Sequence, residues 1–320
     1  MIEKHLKMPQ KIKDYYHAIS CALCHSNRYT IMYKGSVNLE TSAEEVLKQF
    51  RCRGGDVLLD QVVQCLECGL IYINPRLLDA YLLQEYTEGA IQGYKEQFVS
   101  QNEGRKIAFS RSIRMLNRLC PERGRLLDVG AADGTFMAIA RDYGWDVSGC
   151  EPNRWFCAWG QEAHGIHIDQ GTLLEQHYPE GSFDVITLWD VIEHVSDPRI
   201  LLDRCCILLK SRGLLVLTYP DIGSWIARLM GRNWVFLMSV HLYYFTIKTI
   251  TAILQSCGFE ILKSFPHFQT LQLEYIIYRM QTHSVVMARV CKWFADLLHL
   301  NRLMLPYWVG INCVIAKKTT

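Results

Sequence analysis

Four cysteines stand in two pairs, Cys21-x2-Cys24 and Cys65-x2-Cys68. A Cys-x2-Cys turn bends back so that both thiolates reach one ion, and two such turns complete the tetrahedral set of a structural zinc. Gly69 follows the second pair, as a tight knuckle turn favours. The long loop between the pairs adds little closure entropy. Four thiolates leave no open coordination position, so a catalytic metal is not expected there. A second group of residues lies in Asp128-Val129-Gly130-Ala131-Ala132-Asp133-Gly134, which ends an apolar strand and opens a helix. Glycines at such a turn let the backbone approach a ligand, and the helix start offers unpaired N–H groups. Glu151 closes the next strand, at the distance where an acid can hold two ribose hydroxyls. A dinucleotide turn reads G-x-G-x-x-G and takes a pyrophosphate. This turn begins with an acid, which attracts a positively charged amino group and repels a pyrophosphate.

These residues need a scaffold, and the chain supplies one. It has 320 residues and 37.0 kDa, with 50% apolar and 21% charged residues and a net charge of +2. That balance excludes wholesale disorder, a collagen-like repeat and a small disulfide scaffold, and it argues against a uniformly basic nucleic-acid surface. The most apolar window, 200–219, is broken by Asp203, Arg204, Lys210 and Arg212, so no membrane span is expected. The start of the chain has no apolar core followed by a cleavage site, and its thirteen cysteines read as free thiols in a reducing, cytoplasmic compartment.

Residues 1–75 are rich in cysteine and turn residues and form a small lobe, with strand-like pieces at Val62–Gln64 and Leu70–Ile73. Residues 76–120 read as a helical cap. From Arg125 onward strands and helices alternate. LLDVG (126–130), WDVSGCE (145–151), FDVITLW (183–189) and GLLVLTY (213–219) are strands, and TFMAIARDYG (135–144) is a helix. Asp197 followed by Pro198 marks a helix start. Strands alternating with helices predict a parallel sheet covered on both faces. Residues 270–305 form an apolar-striped helical stretch, and YWVGINCVIAKK ends in a strand.

The turn resembles motif I of the class I S-adenosylmethionine-dependent methyltransferases. FDVITLWDVIEHVSDP (183–198) is similar to that family's fourth-strand motif, GLLVLTYPD (213–221) to its fifth strand, and TAILQSCGFEI (251–261) to its late helix and sixth strand. The likeness runs over roughly residues 105–320. It implies a doubly wound, Rossmann-like sheet with an antiparallel last strand. It also implies roles: Asp128 and the Gly130 backbone facing the methionine amino group, Gly134 allowing close passage, Glu151 on the ribose, Thr172 and Leu173 beside the adenine, and Trp189 and Asp190 closing the pocket. Ala132 departs from the pattern, since many relatives carry a second glycine there. One added methyl is expected to narrow the turn without blocking it.

The cysteine block with VVQCLECGLIYINPR resembles the N-terminal zinc lobe of a methyltransferase subgroup that includes sugar C-methyltransferases. A nucleic-acid-binding ribbon is disfavoured, because residues 1–60 are only slightly basic and lack an Arg/Lys-aromatic stripe. Methyl transfer to an acidic C–H or O–H needs a base titrating near neutrality, which favours histidine. His194, in Glu193-His194, and His241, in SVHLYYFT, are the candidates, with His241 preferred. The Glu-His dipeptide also occurs in ubiquinone-type O-methyltransferases, where neighbouring acids bring a divalent metal. Tyr86 and Tyr94 resemble a tyrosine pair that caps the site. Arg111, Arg114 and Arg118 share one helix face near Arg105, suited to a carrier phosphate or to plain solvation.

The resulting expectation is a transferase moving a methyl group from S-adenosylmethionine to a hydroxyl or acidic carbon of a small acceptor, such as a sugar nucleotide. An O-methyltransferase on a quinone, phenol or lipid is the alternative enzyme, and a zinc-ribbon binding module on an inactive scaffold the alternative without catalysis. The stripe over 272–302 packs in a core, in a dimer or on a membrane surface.

Overall fold

The computed structural model describes residues 12–37, 58–79, 91–280 and 285–319, with backbone alone over 91–101 and at 279. Seven strands form the central sheet: β1 (Arg125–Val129), β2 (Asp146–Glu151), β3 (Asp169–Gln170), β4 (Phe183–Leu188), β5 (Leu209–Pro220), β6 (Phe259–Pro266) and β7 (Ile311–Lys318). Their spatial order is β6-β7-β5-β4-β1-β2-β3. Pairing is parallel from β5 to β3, and β7 runs antiparallel to both β5 and β6. The doubly wound sheet and reversed last strand expected from the sequence are thus present.

The strands read as apolar runs because helices cover both faces. Leu126, Leu127, Val185, Ile186, Leu215 and Leu217 are fully or almost fully buried. The covering helices are α1 (Ile91–Leu119), α2 (Thr135–Asp142), α3 (Arg154–His164), α4 (Pro198–Leu208) and α5 (Ile247–Ser256). Asp197 caps α4 by accepting the N–H groups of Arg199 and Ile200, and Pro198 occupies the first turn. The stretch after β6 is less uniform than its apolar stripe suggests. A ribbon of Gln269–Gln272 and Met304–Tyr307 brackets two helices, α6 (Leu273–Met280) and α7 (Val285–Leu297).

The cysteine-rich residues build an antiparallel sheet of Tyr29–Tyr33, Val62–Cys65 and Ile71–Ile73. Its fourth strand, Tyr243–Tyr244, comes from the segment after β5 and pairs with Ile71 and Tyr72. Val63, Leu70 and Tyr72 of the lobe share one buried cluster with Leu127, Leu217 and Phe245 of the main fold.

Candidate active site

At the carboxyl ends of β1 and β4 the chain departs in opposite directions, leaving a crevice at the point where strand order reverses. A cleft of about 420 Å³ lies there. Gly130, Ala131 and Ala132 form its floor, and Asp128 and Glu151 both line it. Gly130 adopts φ 71, and a Cβ there would come 2.7 Å from Val191 Cγ2. The turn is pinned to β2: Gly130 N–H and Ala131 N–H donate to Cys150 O at 2.9 and 3.1 Å. Glu151 accepts from Ala132 N–H at 3.0 Å through Oε2 and from Asn153 N–H at 2.9 Å through Oε1. Each carboxylate oxygen keeps a second lone pair for a ligand hydroxyl. Asp128 Oδ1 accepts from the Thr187 hydroxyl at 2.7 Å. Burial raises both acids to about 7, opposed at Asp128 by the Thr187 hydrogen bond and at Glu151 by the two backbone N–H groups.

Ala132 sits at φ 46, in the left-handed region. A Cβ there costs roughly 1 kcal/mol. Replacing Ala132 by Gly removes that strain and adds freedom to the unfolded chain, a smaller opposing effect. We expect a thermal unfolding midpoint about 1 °C higher and unchanged cofactor affinity, read by calorimetry. A lower midpoint would mean that the alanine methyl contributes packing that outweighs the strain.

Trp189 follows β4 and meets Phe136, Phe109 and His267 with ring centroids 5.1, 6.0 and 5.9 Å away. Its buried Nε1–H has no partner among the described residues. Asp190, at φ 56, exchanges hydrogen bonds with Thr218: its N–H donates at 2.8 Å and its Oδ1 accepts at 2.7 Å. His194 lines the cleft and donates Nδ1–H to Val240 O at 3.0 Å, so Nε2 is the lone-pair nitrogen. Burial lowers its pKa, partly opposed by Val240 O and Asp190.

His241 does not line the cleft. It is 5% exposed, packs its ring 4.6 Å from that of His194, and donates Nδ1–H to Phe236 O at 2.8 Å. The histidine at the wall is therefore His194, with the preferred His241 behind it. Leu242 N–H donates to Glu193 O, and this strand places the pair. Burial drives Glu193, 1% exposed, well above the usual carboxylate range, with Asp190 adding to it. The ligand atoms of Glu193, His194 and His241 lie within 4.8 Å of one another, a set that offers one carboxylate and two imidazoles.

Thr172 and Leu173 do not line the cleft either. Thr172 gives its N–H and hydroxyl to Glu175 Oε2, and Leu173 is buried in the core. Asn153 and Phe156 occupy the wall next to Glu151 instead. Gly134, at φ 71, lies outside the lining and turns the chain into α2. Tyr86 falls outside the described residues, and Tyr94 lies in the part of α1 described by backbone alone. Arg111, Arg114 and Arg118 are exposed and absent from the cleft lining, although Arg111 donates to the hydroxyl of Thr270, a lining residue, at 3.2 Å. Arg105 has a different use: both Nη atoms donate at 2.8 Å to Asp133, fastening α1 to the glycine-rich turn. Against the effect of burial, that guanidinium holds Asp133 below the usual carboxylate range. Sequence reasoning missed this clamp, along with His267 and Tyr307, because no local spacing marks them.

In the lobe, the four predicted cysteines converge. All four Sγ atoms lie within 4.8 Å of one another, with Cys21–Cys68 at 3.4 Å and Cys24–Cys65 at 3.5 Å, and all are free thiols. A tetrahedral zinc with bonds of about 2.3 Å has sulfur–sulfur edges near 3.8 Å, so the donor set fits. Burial alone would raise the Cys65 thiol, but backbone N–H groups of Cys68 and Glu67 and the Cys24 thiol bring it down to about 7.

The sequence profile of a family described as a methyltransferase domain matches residues 102–264, from α1 into β6. The chain belongs to that methyltransferase family. A ubiquinone biosynthesis O-methyltransferase of Bradyrhizobium diazoefficiens is 30% identical over 39% of this methyltransferase and 47% of its own length. One from Nitrobacter winogradskyi is 32% identical over 43% and 49%. The chain thus spans about half the length of the curated relatives it matches. A solved S-adenosylmethionine-dependent methyltransferase from Thermotoga maritima shares the fold, with a TM-score of 0.50 at 17% identity over 74% of this chain and 100% of that one.

Proposed function

We propose that the chain transfers a methyl group from S-adenosylmethionine to a hydroxyl of a small, largely apolar acceptor such as a phenol or quinol. The observation that carries this reading is that Asp128, Glu151 and His194 line one cleft. Asp128 and the Gly130 backbone would hold the amino-acid end of the cofactor, and Glu151 its ribose. When bound, the cofactor supplies an electrophilic methyl group. Trp189, Phe136 and Phe109 wall the cleft and exclude water. His194 stays neutral through burial, and its Nε2 takes the acceptor proton. His241 fixes the ring from behind. The relatives named for ubiquinone biosynthesis support an O-methyl acceptor.

The lining favours a phenol or quinol over a sugar nucleotide. Among the described residues Arg105 is the cleft's one arginine or lysine, and Asp133 already engages it. A nucleoside diphosphate would need cations of its own. The tetracysteine lobe, similar to that of sugar C-methyltransferases, favours the sugar reading and is proposed to hold a structural zinc.

Substituting His194 by Ala is expected to lower kcat on a catechol acceptor by about 10²-fold or more, with S-adenosylhomocysteine affinity retained in calorimetry. Unchanged turnover would remove His194 from the mechanism.

A further inference from the structure

α7 carries its residues inside out. Its small side chains, Ala288 and Ala295, face the protein and are buried. Val286, Val290, Trp293 and Leu297 recur at helical spacing on the opposite side and are 72%, 50%, 60% and 60% exposed. Phe294, Met287 and Leu298 widen this face, and Leu300 and Leu303 extend it past the helix end. Surface helices normally turn such a stripe toward the core. This one faces outward, and no described part of the chain covers it.

The charges around the face discriminate between coverings. Lys292 bonds Glu274 at 3.1 Å and Asp296 at 3.0 Å, one cation shared by two acids. Arg289 and Arg302 are exposed and have no ion-pair partner among the described residues. Three cations, Arg289, Lys292 and Arg302, thus stand against the two acids Glu274 and Asp296, and the charge bordering the apolar face is net positive. A symmetric dimer would bring together two patches of the same net sign. The apolar face also spans more of the helix circumference than the narrow seam of a two-helix pair. An anionic headgroup layer satisfies both features, with guanidinium groups in the headgroups and the indole, phenyl and aliphatic groups in the acyl boundary. No helix among the described residues is long and apolar enough to cross a membrane, so α7 would lie flat.

The position of α7 gives this contact a use. α6 and α7 are bracketed by the Gln269–Gln272 and Met304–Tyr307 ribbon, and Gln269, Thr270, Leu271 and Tyr307 line the catalytic cleft. We propose that the outward face of α7 docks on an anionic lipid surface, so that the cleft receives an acceptor dissolved in or anchored to that surface. The delivery step rests on the methyltransferase reading, whereas the docking does not.

The test is co-sedimentation of the full chain with phosphatidylcholine vesicles, with and without phosphatidylglycerol. Wild type is expected to sediment with the anionic vesicles, less with the neutral ones, and less as salt rises. The double variant Trp293→Ser/Leu297→Ser, at exposed positions, is expected to lose at least about tenfold in partitioning. Arg289→Gln/Arg302→Gln is expected to lose several-fold on anionic vesicles alone. Thermal unfolding checks that both variants remain folded, and calorimetry with S-adenosylhomocysteine reports separately on the methyltransferase reading. The proposal is overturned if wild type ignores both vesicle types. It is also overturned if sedimentation velocity shows a dimer that Trp293→Ser/Leu297→Ser dissociates while no vesicle binds.

Discussion

Replacing Glu151 by Ala is expected to weaken S-adenosylmethionine binding by about 100-fold, close to 3 kcal/mol, the strength of two charge-assisted hydrogen bonds. Part of that loss arises in the protein itself, because Glu151 also holds the N–H groups of Ala132 and Asn153. Glu151→Gln separates the contributions: it keeps an acceptor for the turn and lowers affinity less. Asp128→Asn should act at the other end of the cleft with a similar loss. Wild-type affinity should also depend on pH. Both acids have folded values near 7 and must be ionised to bind, so affinity should fall about tenfold per acid from pH 8 to pH 6. Stability runs the opposite way. A carboxylate with a raised folded pKa stabilises the fold fully below its unfolded value near 4 and loses that contribution as pH rises through about 7. Calorimetry at several pH values checks the first trend and thermal unfolding the second. Affinity that is flat with pH, or undiminished in Glu151→Ala, would remove the cofactor from this cleft.

The second large effect comes from the cysteine lobe. Stripping the zinc proposed for the tetracysteine lobe, or changing Cys65 to Ser, should lower kcat by about 100-fold, the scale of a misplacement near 1 Å at a reacting group. The connection is physical. Tyr243–Tyr244 is a strand of the lobe sheet, Ile73 N–H donates to Leu242 O, and both Leu242 and Tyr243 N–H groups donate to Glu193 O. Buried Arg76 donates to the Tyr243 hydroxyl at 3.1 Å and to Ser196 O at 2.9 Å, and Tyr243 donates to the same carbonyl at 3.0 Å. Loosening the lobe therefore loosens the His194–His241 pair. Asp128 and Glu151 stand on β1 and β2, outside this network, so cofactor affinity should change less than about threefold. Metal analysis, turnover and S-adenosylhomocysteine calorimetry on one preparation test this. Full turnover in a metal-free sample would show that the lobe does not position the histidines.

Much of the site was legible because its parts are close in sequence. Asp128, Gly130 and Glu151 belong to one strand–turn–helix–strand unit, where the shift from apolar runs to helical spacing marks each boundary. The paired cysteines were legible because thiolates at that spacing have few other uses. What escaped detection depends on distant pairing. The Arg105–Asp133 clamp leaves no local periodicity, and neither does the placement of His267 by the segment after β6. SVHLYYFT offers His241 as a base, and nothing in its spacing marks it as a strand. Its strand partner, Ile71–Tyr72, lies far earlier in the chain, and the pairing buries His241 behind His194. Thr172 was placed by resemblance alone, and its hydroxyl is taken by the local acid Glu175.

The order of the central sheet has a consequence for biosynthesis. β5 and β6 do not pair with each other; residues 311–318 lie between them and pair with both. Until that segment has been synthesised the sheet is split, and the apolar edge of β5, Leu214–Tyr219, stays unpaired and open to association with other nascent chains. The family-matched portion 102–264, produced alone, would keep that edge exposed permanently, and is expected to accumulate as aggregate.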